Sequence, residues 1–188
     1  MERTNYLAYV KERMPNKRYI HTLGVEETAK KLAAHYGQNV MHAETAAILH
    51  DVAKYADVVW MEQIVRDYDL DARLIGWGSE LLHGPVGAWM AEHELNVTHP
   101  DVLNAMRYHT TGRANMSDLE KIIYVADMLE PNRQFPGVDD LRQMMYDGLN
   151  KVFEACVKHA LIHLISSGIA VFPQSIECYN DIMSSERN

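Results

Sequence analysis

The sequence predicts an all-α fold in one domain, and three observations carry that prediction. Nearly every segment repeats its apolar residues at helical rather than alternating spacing. Pro15, Gly37, Gly76, Gly78, Gly112 and Gly168 cut the pattern into lengths that suit helices. The 188 residues, 47% hydrophobic and 23% charged, suit a single globular core, and no repeat, low-complexity linker or compositional break divides them.

The first helix carries Tyr6, Leu7, Val10 and Met14 and stops at Pro15. Asn16 is placed to cap the second, whose apolar face is Val25, Ala29, Leu32, Ala33 and Tyr36 and whose end is Gly37. A third begins near Met41, with Ala43, Ala46 and Ala47 permitting close packing, and leads into His50-Asp51. Met61, Ile64, Val65 and Tyr68 mark a fourth. After the break at Gly76-Trp77-Gly78-Ser79, Gly84-Pro85 reads as a stop followed by a start, with Pro85 in a first helical position. Thr98 to Asp101 opens a helix that Gly112 ends. Ser117 and Glu120 have capping-box spacing. A long helix is expected through Leu141, Met145, Val152, Cys156 and His159 as far as Gly168. From Ala170 onward an ordered tail is expected, holding Pro173 and a short last helix. Trp60, Trp77 and Trp89 are expected in the core, and the oligomeric state stays open, a homodimer included.

A net charge of −8, from 26 acidic and 18 basic residues, argues against a nucleic-acid or anionic-membrane surface, because phosphate backbones attract basic faces. It leaves room for a phosphate-bearing small molecule in a locally positive pocket. No apolar run is long enough to span a bilayer, and no signal peptide opens at Met1-Glu2-Arg3-Thr4. With only Cys156 and Cys178, far apart, the expectation is a reducing cytoplasmic setting and passive thiols.

Ten histidines are the compositional excess. His50 and Asp51 stand side by side behind an apolar run, and both are metal ligands when deprotonated. Adjacent residues on a helix diverge by roughly 100°, so the dyad forms a site only if other helices bring ligands to it. His21, His83, His109 and Asp127 are the candidates, each flanked by residues that belong inside. Taken singly, each has an ordinary reading: a satisfied core histidine, a buried cap, an ion-pair partner. Lys54 alone is ordinary helix surface, and His35, His42, His93, His99, His159 and His163 are read as core or solvated. Together, imidazoles and carboxylates with open positions suit Fe, Mn, Co or Zn, while the lack of cysteine pairs disfavours structural zinc.

Five strings in this order resemble a known family: RYIHTLGV from Arg18, ILHDVAK from Ile48, LHGP from Leu82, YHTTG from Tyr108 and ADMLEPNR from Ala126. They are similar to the HD-domain metal-dependent phosphohydrolases, and within them to the bacterial YqeK type, which are symmetrical diadenosine tetraphosphate hydrolases. The resemblance implies an HD-domain helical bundle over residues 1–188. It implies that His21, His50, Asp51 and Asp127 hold an iron-type metal, with Mn or Co as substitutes. His83 and His109 then either face the phosphates or hold a second metal bridged by Asp51. Ile20, Thr110, Asp127 and Arg133 match substrate-contacting positions. Ala170, Val171, Phe172, Pro173, Gln174 and Ser175 match a tail, about residues 170–188, that closes over base and ribose.

Physical chemistry gives these expectations a mechanism. A polyphosphate resists attack because its own charge repels the nucleophile, and a dication relieves that repulsion. Lys54 and Arg133 add fixed positive charge, Arg in bidentate form. His83 or His109 is suited to proton transfer near neutrality. The expected reaction leaves two ADP. The alternatives are an HD-type nucleotidase or deoxynucleoside triphosphate hydrolase, and a nucleotide-binding regulatory module.

Overall fold

The computed structural model describes residues 2–185; Met1 and residues 186–188, the last of the expected tail, lie outside them. The described residues form ten α-helices and one 3₁₀ turn in order, and no strand. They are α1 (Glu2–Lys11), α2 (Asn16–His35), α3 (Val40–Leu49), α4 (Val58–Asp67), α5 (Ser79–Leu95), α6 (Pro100–Tyr108), α7 (Asp118–Leu129), α8 (Val138–Gln143), α9 (Leu149–Ser166) and α10 (Pro173–Ser185). None is long and apolar enough to cross a membrane.

Helix α2 packs on α3 and α7, α3 also on α6 and α7, α6 on α5 and α7, and α9 covers the outside of α7. Val25, Ala29, Leu32 and Ala33 from α2, Ala43, Ala46 and Ala47 from α3, and Ile122, Ile123 and Ala126 from α7 are fully buried. The alanines let α3 sit close to its neighbours, and each large aliphatic side chain in this core contributes about 1.5–3 kcal/mol by burial.

Helix starts follow local chemistry. The Asn39 side chain accepts from the Met41 and His42 amides at 2.9 and 3.1 Å, and the Asp57 side chain accepts from the Trp60 amide at 2.9 Å. Ser117 and Glu120 close a reciprocal capping box, which satisfies two donors that a helix start leaves free.

Four expectations change. Pro15, extended at φ −61° and ψ 152°, takes the N-cap position, so Asn16 is already helical and caps nothing. Helix α5 runs unbroken through Gly84-Pro85. Pro85 forgoes one hydrogen bond there, and Gly84 is tolerated because a side chain would meet the Met106 and Arg107 carbonyls of α6 at 3.1 and 2.9 Å. The long C-terminal helix is two, α8 and α9, parted at Gly148, whose φ of +141° few side chains accept. Finally, Trp60 is 38% exposed, whereas Trp77 and Trp89 are half-buried against the core.

Candidate metal centre and active site

Helix α3 ends at Leu49, so the dyad stands at its end rather than inside it. His50 is the C-cap and Asp51 opens a turn in which the Lys54 amide bonds the Asp51 carbonyl at 2.9 Å. The His50 Nε2 lies 3.0 Å from Asp51 Oδ2, and both residues are completely buried.

Other helices meet them there. From α2, His21 Nε2 stands 3.0 Å from Asp127 Oδ1 and 3.8 Å from Asp51 Oδ2. From α7, Asp127 Oδ1 also lies 3.7 Å from His50 Nε2. On the other side of Asp51, Oδ1 is 3.2 Å from His83 Nε2 on α5 and 3.8 Å from His109 Nε2, the C-cap of α6. Two groups able to hold a metal result, His21–His50–Asp51 and Asp51–His83–His109, with Asp51 in both. Asp127 joins the first at its edge. Its side chain is 18% exposed rather than buried, because it also faces the adjoining cavity.

All four histidines are oriented in one way. Nδ1 of His50, His83 and His109 sits at 2.7–2.8 Å from the carbonyls of Ala47, Ser79 and Met106, and Nδ1 of His21 lies 3.0 Å from Glu130 Oε1. A carbonyl oxygen only accepts, so the ring proton is on Nδ1 and each Nε2 presents a lone pair to the centre. His83 and His109 point those lone pairs at one another across 3.0 Å. Two bare acceptors at that distance repel unless a cation or proton joins them. At this centre, buried His21 Nε2, His50 Nε2 and Asp51 Oδ1 have no hydrogen-bond partner, and Asp51 Oδ2 has only an ion pair with Arg18. Buried polar atoms left so cost free energy. The donor set is imidazole and carboxylate, so these residues fit a divalent metal.

The electrostatics agree. Burial works to raise the Asp51 carboxyl, but His50 and His83 outweigh it and hold it well below the usual range. Burial likewise opposes a charged His50, and the Asp51 carboxylate overturns that and raises it. Burial, with His83 and His50 beside it, drives His109 down to about 3 and keeps it neutral. Burial is again outweighed at Asp127, where His21 and Arg133 hold the carboxyl well below its ordinary value.

Five further residues, given no part in the site by sequence, contribute to it. Arg18 forms an ion pair through Nε with Asp51 Oδ2. Glu130, 1% exposed, orients His21 and is itself held by the Asn132 amide and side chain at 2.7 and 2.9 Å. Gly24 on α2 leaves the room that this carboxylate fills. His159 and His163 line a cavity of about 630 Å³ that opens from His109, Thr110 and Asp127. Spacing held the signal: Arg18 with His21 and Asp127 with Glu130 are three apart, His159 and His163 four apart, so each pair shares a helix face.

The remaining expected residues fall as follows. Arg133 donates to the Asp127 carbonyl at 2.8 Å and to Oδ1 at 2.6 Å, and it lines the cavity. Thr110 Oγ1 is 3.1 Å from His109 Nε2. Ile20 is 46% exposed, one residue before His21. Lys54 is bound to Glu80 at 2.6 Å, so its charge already has a partner. In the tail, Phe172 is buried edge-on against Trp77, Gln174 accepts from Thr111 Oγ1 at 3.0 Å, Val171 and Ser175 are half-buried, and Ala170 and Pro173 are exposed.

Comparison with known proteins places this arrangement. The HD domain family model matches residues 18–132. The chain is 46% identical to a Staphylococcus aureus protein named bis(5'-nucleosyl)-tetraphosphatase, symmetrical, over 90% of this chain and 89% of that one. It is 43% identical to a Bacillus subtilis protein of the same name, over 98% and 99%. A crystal structure from Clostridium acetobutylicum, described as an HD superfamily hydrolase involved in NAD metabolism, superposes with a TM-score of 0.91 at 37% identity, covering 97% of each chain. The dyad at the end of α3, and the helices that bring it partners, fall within the matched residues: this chain belongs to the HD domain family.

Proposed function

We propose that this protein is a metal-dependent hydrolase that cleaves diadenosine tetraphosphate symmetrically to two ADP. One observation carries the reading: Asp51 lies in two adjacent ligand groups, in a chain more than 40% identical over nearly its whole length to relatives named for this reaction. His21, His50, Asp51 and Asp127 would hold an iron ion, or Mn or Co in its place. Asp51, His83 and His109 would hold a second ion where one binds. A bound dication supplies charge neutralisation at phosphorus and a more acidic water.

The chain's own groups do the rest. The carbonyl-anchored rings hold each Nε2 in one direction, so no side-chain search precedes catalysis. His109, kept neutral, serves as an acceptor rather than an acid, and His83 is placed to pass a proton only where no second ion occupies its Nε2. Arg133 fixes Asp127 and presents its remaining guanidinium donors to phosphate, and Thr110 adds a hydroxyl beside His109. Lys54 reaches phosphate by giving up Glu80. Ile20 and residues 170–175 bound the retained ADP, in one domain whose tail closes the nucleotide site.

Hydrolysis of diadenosine tetraphosphate with Fe, Mn or Co supplied anaerobically tests the reading: ADP is expected as sole product. ATP plus AMP would falsify it. A panel of mononucleotides, deoxynucleoside triphosphates and NAD separates this activity from the nucleotidase alternatives, and metal analysis without turnover would instead mark a binding module.

A further inference from the structure

A symmetrical dinucleotide has two nucleosides, and the reading above seats one of them at the tail. None of residues 170–185 lines the 630 Å³ cavity between the end of α7, the 133–136 segment and the C-terminal half of α9. That cavity begins at His109, Thr110 and Asp127 and passes Arg133, so a phosphate chain at the metal centre runs into it without a break. Its volume lies in the range of small-molecule sites.

The walls suit a base and a sugar. Phe135 and His159 form an aromatic side, ring centroids 4.8 Å apart and tilted 46°. His163, one turn beyond His159, offers ring nitrogens that donate or accept. Ile162 is 67% exposed and forms an apolar lip that water gains nothing by covering. The mechanism uses none of these four residues, and apolar exposure beside a charged centre calls for an occupant that is polar at one end and flat and apolar at the other.

We propose that this cavity holds the second nucleoside of the dinucleotide, its ring system against Phe135 and His159 and its phosphates passing Arg133. The assignment rests on the tetraphosphatase reading. Its occupant is a purine nucleoside tethered through phosphate.

Phe135 and His159 are half-buried, Phe135 at the edge of the core, so each truncation is checked for folding. Kinetics of wild type, Phe135→Ala and His159→Ala are compared on diadenosine tetraphosphate and on adenosine 5'-tetraphosphate, which lacks the second nucleoside. Unchanged melting temperatures establish folding. Phe135→Ala is expected to raise KM about tenfold on the dinucleotide, the order of one lost base stack, with kcat within about threefold. On adenosine 5'-tetraphosphate its KM stays within about twofold. An equal rise on both substrates overturns the proposal, because the cavity then holds the retained half. No rise on either overturns it too. Wild-type protein that leaves diadenosine tetraphosphate intact sinks the hydrolase reading first, and this assignment with it.

Discussion

The two ends of the site are built on opposite principles. At the metal end, every imidazole is buried and tied through Nδ1 to a backbone carbonyl or to Glu130, and Asp51 has no solvent exposure. At the α9 end, half-buried rings and an exposed isoleucine border open space. Charge has to be placed to within a fraction of an ångström before it is useful, and desolvated groups repay that only when fixed. A base needs only a flat apolar wall, which side chains provide without a frame behind them. Lesions at the first end should therefore remove the reaction, and lesions at the second should weaken affinity.

The largest expected effect tests the first half of this contrast. Asp51→Ala removes the carboxylate that both ligand groups use. Metal content should fall to background and turnover by more than about 10³-fold, since a dication supplies several kcal/mol at the transition state, while circular dichroism stays helical. Full activity with metal retained would place the centre elsewhere. Glu130→Gln tests the frame alone, because the side chain keeps its shape and loses its charge. Chelator competition should report metal affinity lower by about 10–100-fold; an unchanged affinity would make Glu130 a packing residue only.

The acid limb of stability gives a third test, on metal-free protein. His109 is held down at about 3, so the native state stays neutral while the unfolded chain takes up a proton below about 6.5. Protons thus favour unfolding as pH falls through that window. Between pH 7 and 5, urea denaturation should shift in favour of His109→Gln over wild type by up to about 2 kcal/mol. Parallel curves would mean that His109 protonates in place. The smallest effect belongs to the boundary between the ends. Arg133→Ala should raise KM about tenfold, as for one charge-assisted hydrogen bond, with metal retained. Loss of metal would move Arg133 into the frame, through its bond to Asp127.

Much of this was legible in the chain. Helical periodicity located nearly all the helices, and the order of His21, His50-Asp51, His83, His109 and Asp127 named the residues that meet at the centre. What stayed hidden has physical reasons. Gly148 resembles any helix-neighbouring glycine until its φ is known, so two helices read as one. Pro85 follows a glycine and looks like a start, yet the packing of α6 decides that the helix continues. Glu130 and Arg18 belong to motifs that had been noticed, but charged residues beside a ligand are expected at the surface until burial is seen. His159 and His163 lacked any motif, and only the fold brings their face to the cavity.

Gly24 illustrates how a substitution can act at a distance. In the middle of an ordinary helix, alanine in place of glycine is stabilising by about 1 kcal/mol, and a surface-blind redesign of α2 would choose it. Here the added methyl takes the space of the Glu130 carboxylate, and Asn132 Nδ2, bonded to that carboxylate, is only 3.1 Å away. Helix propensity and metal affinity then pull in opposite directions. Gly24→Ala should score as a loss of bound metal while its secondary structure holds, so a screen that reads folding alone would retain a chain that has lost its chemistry.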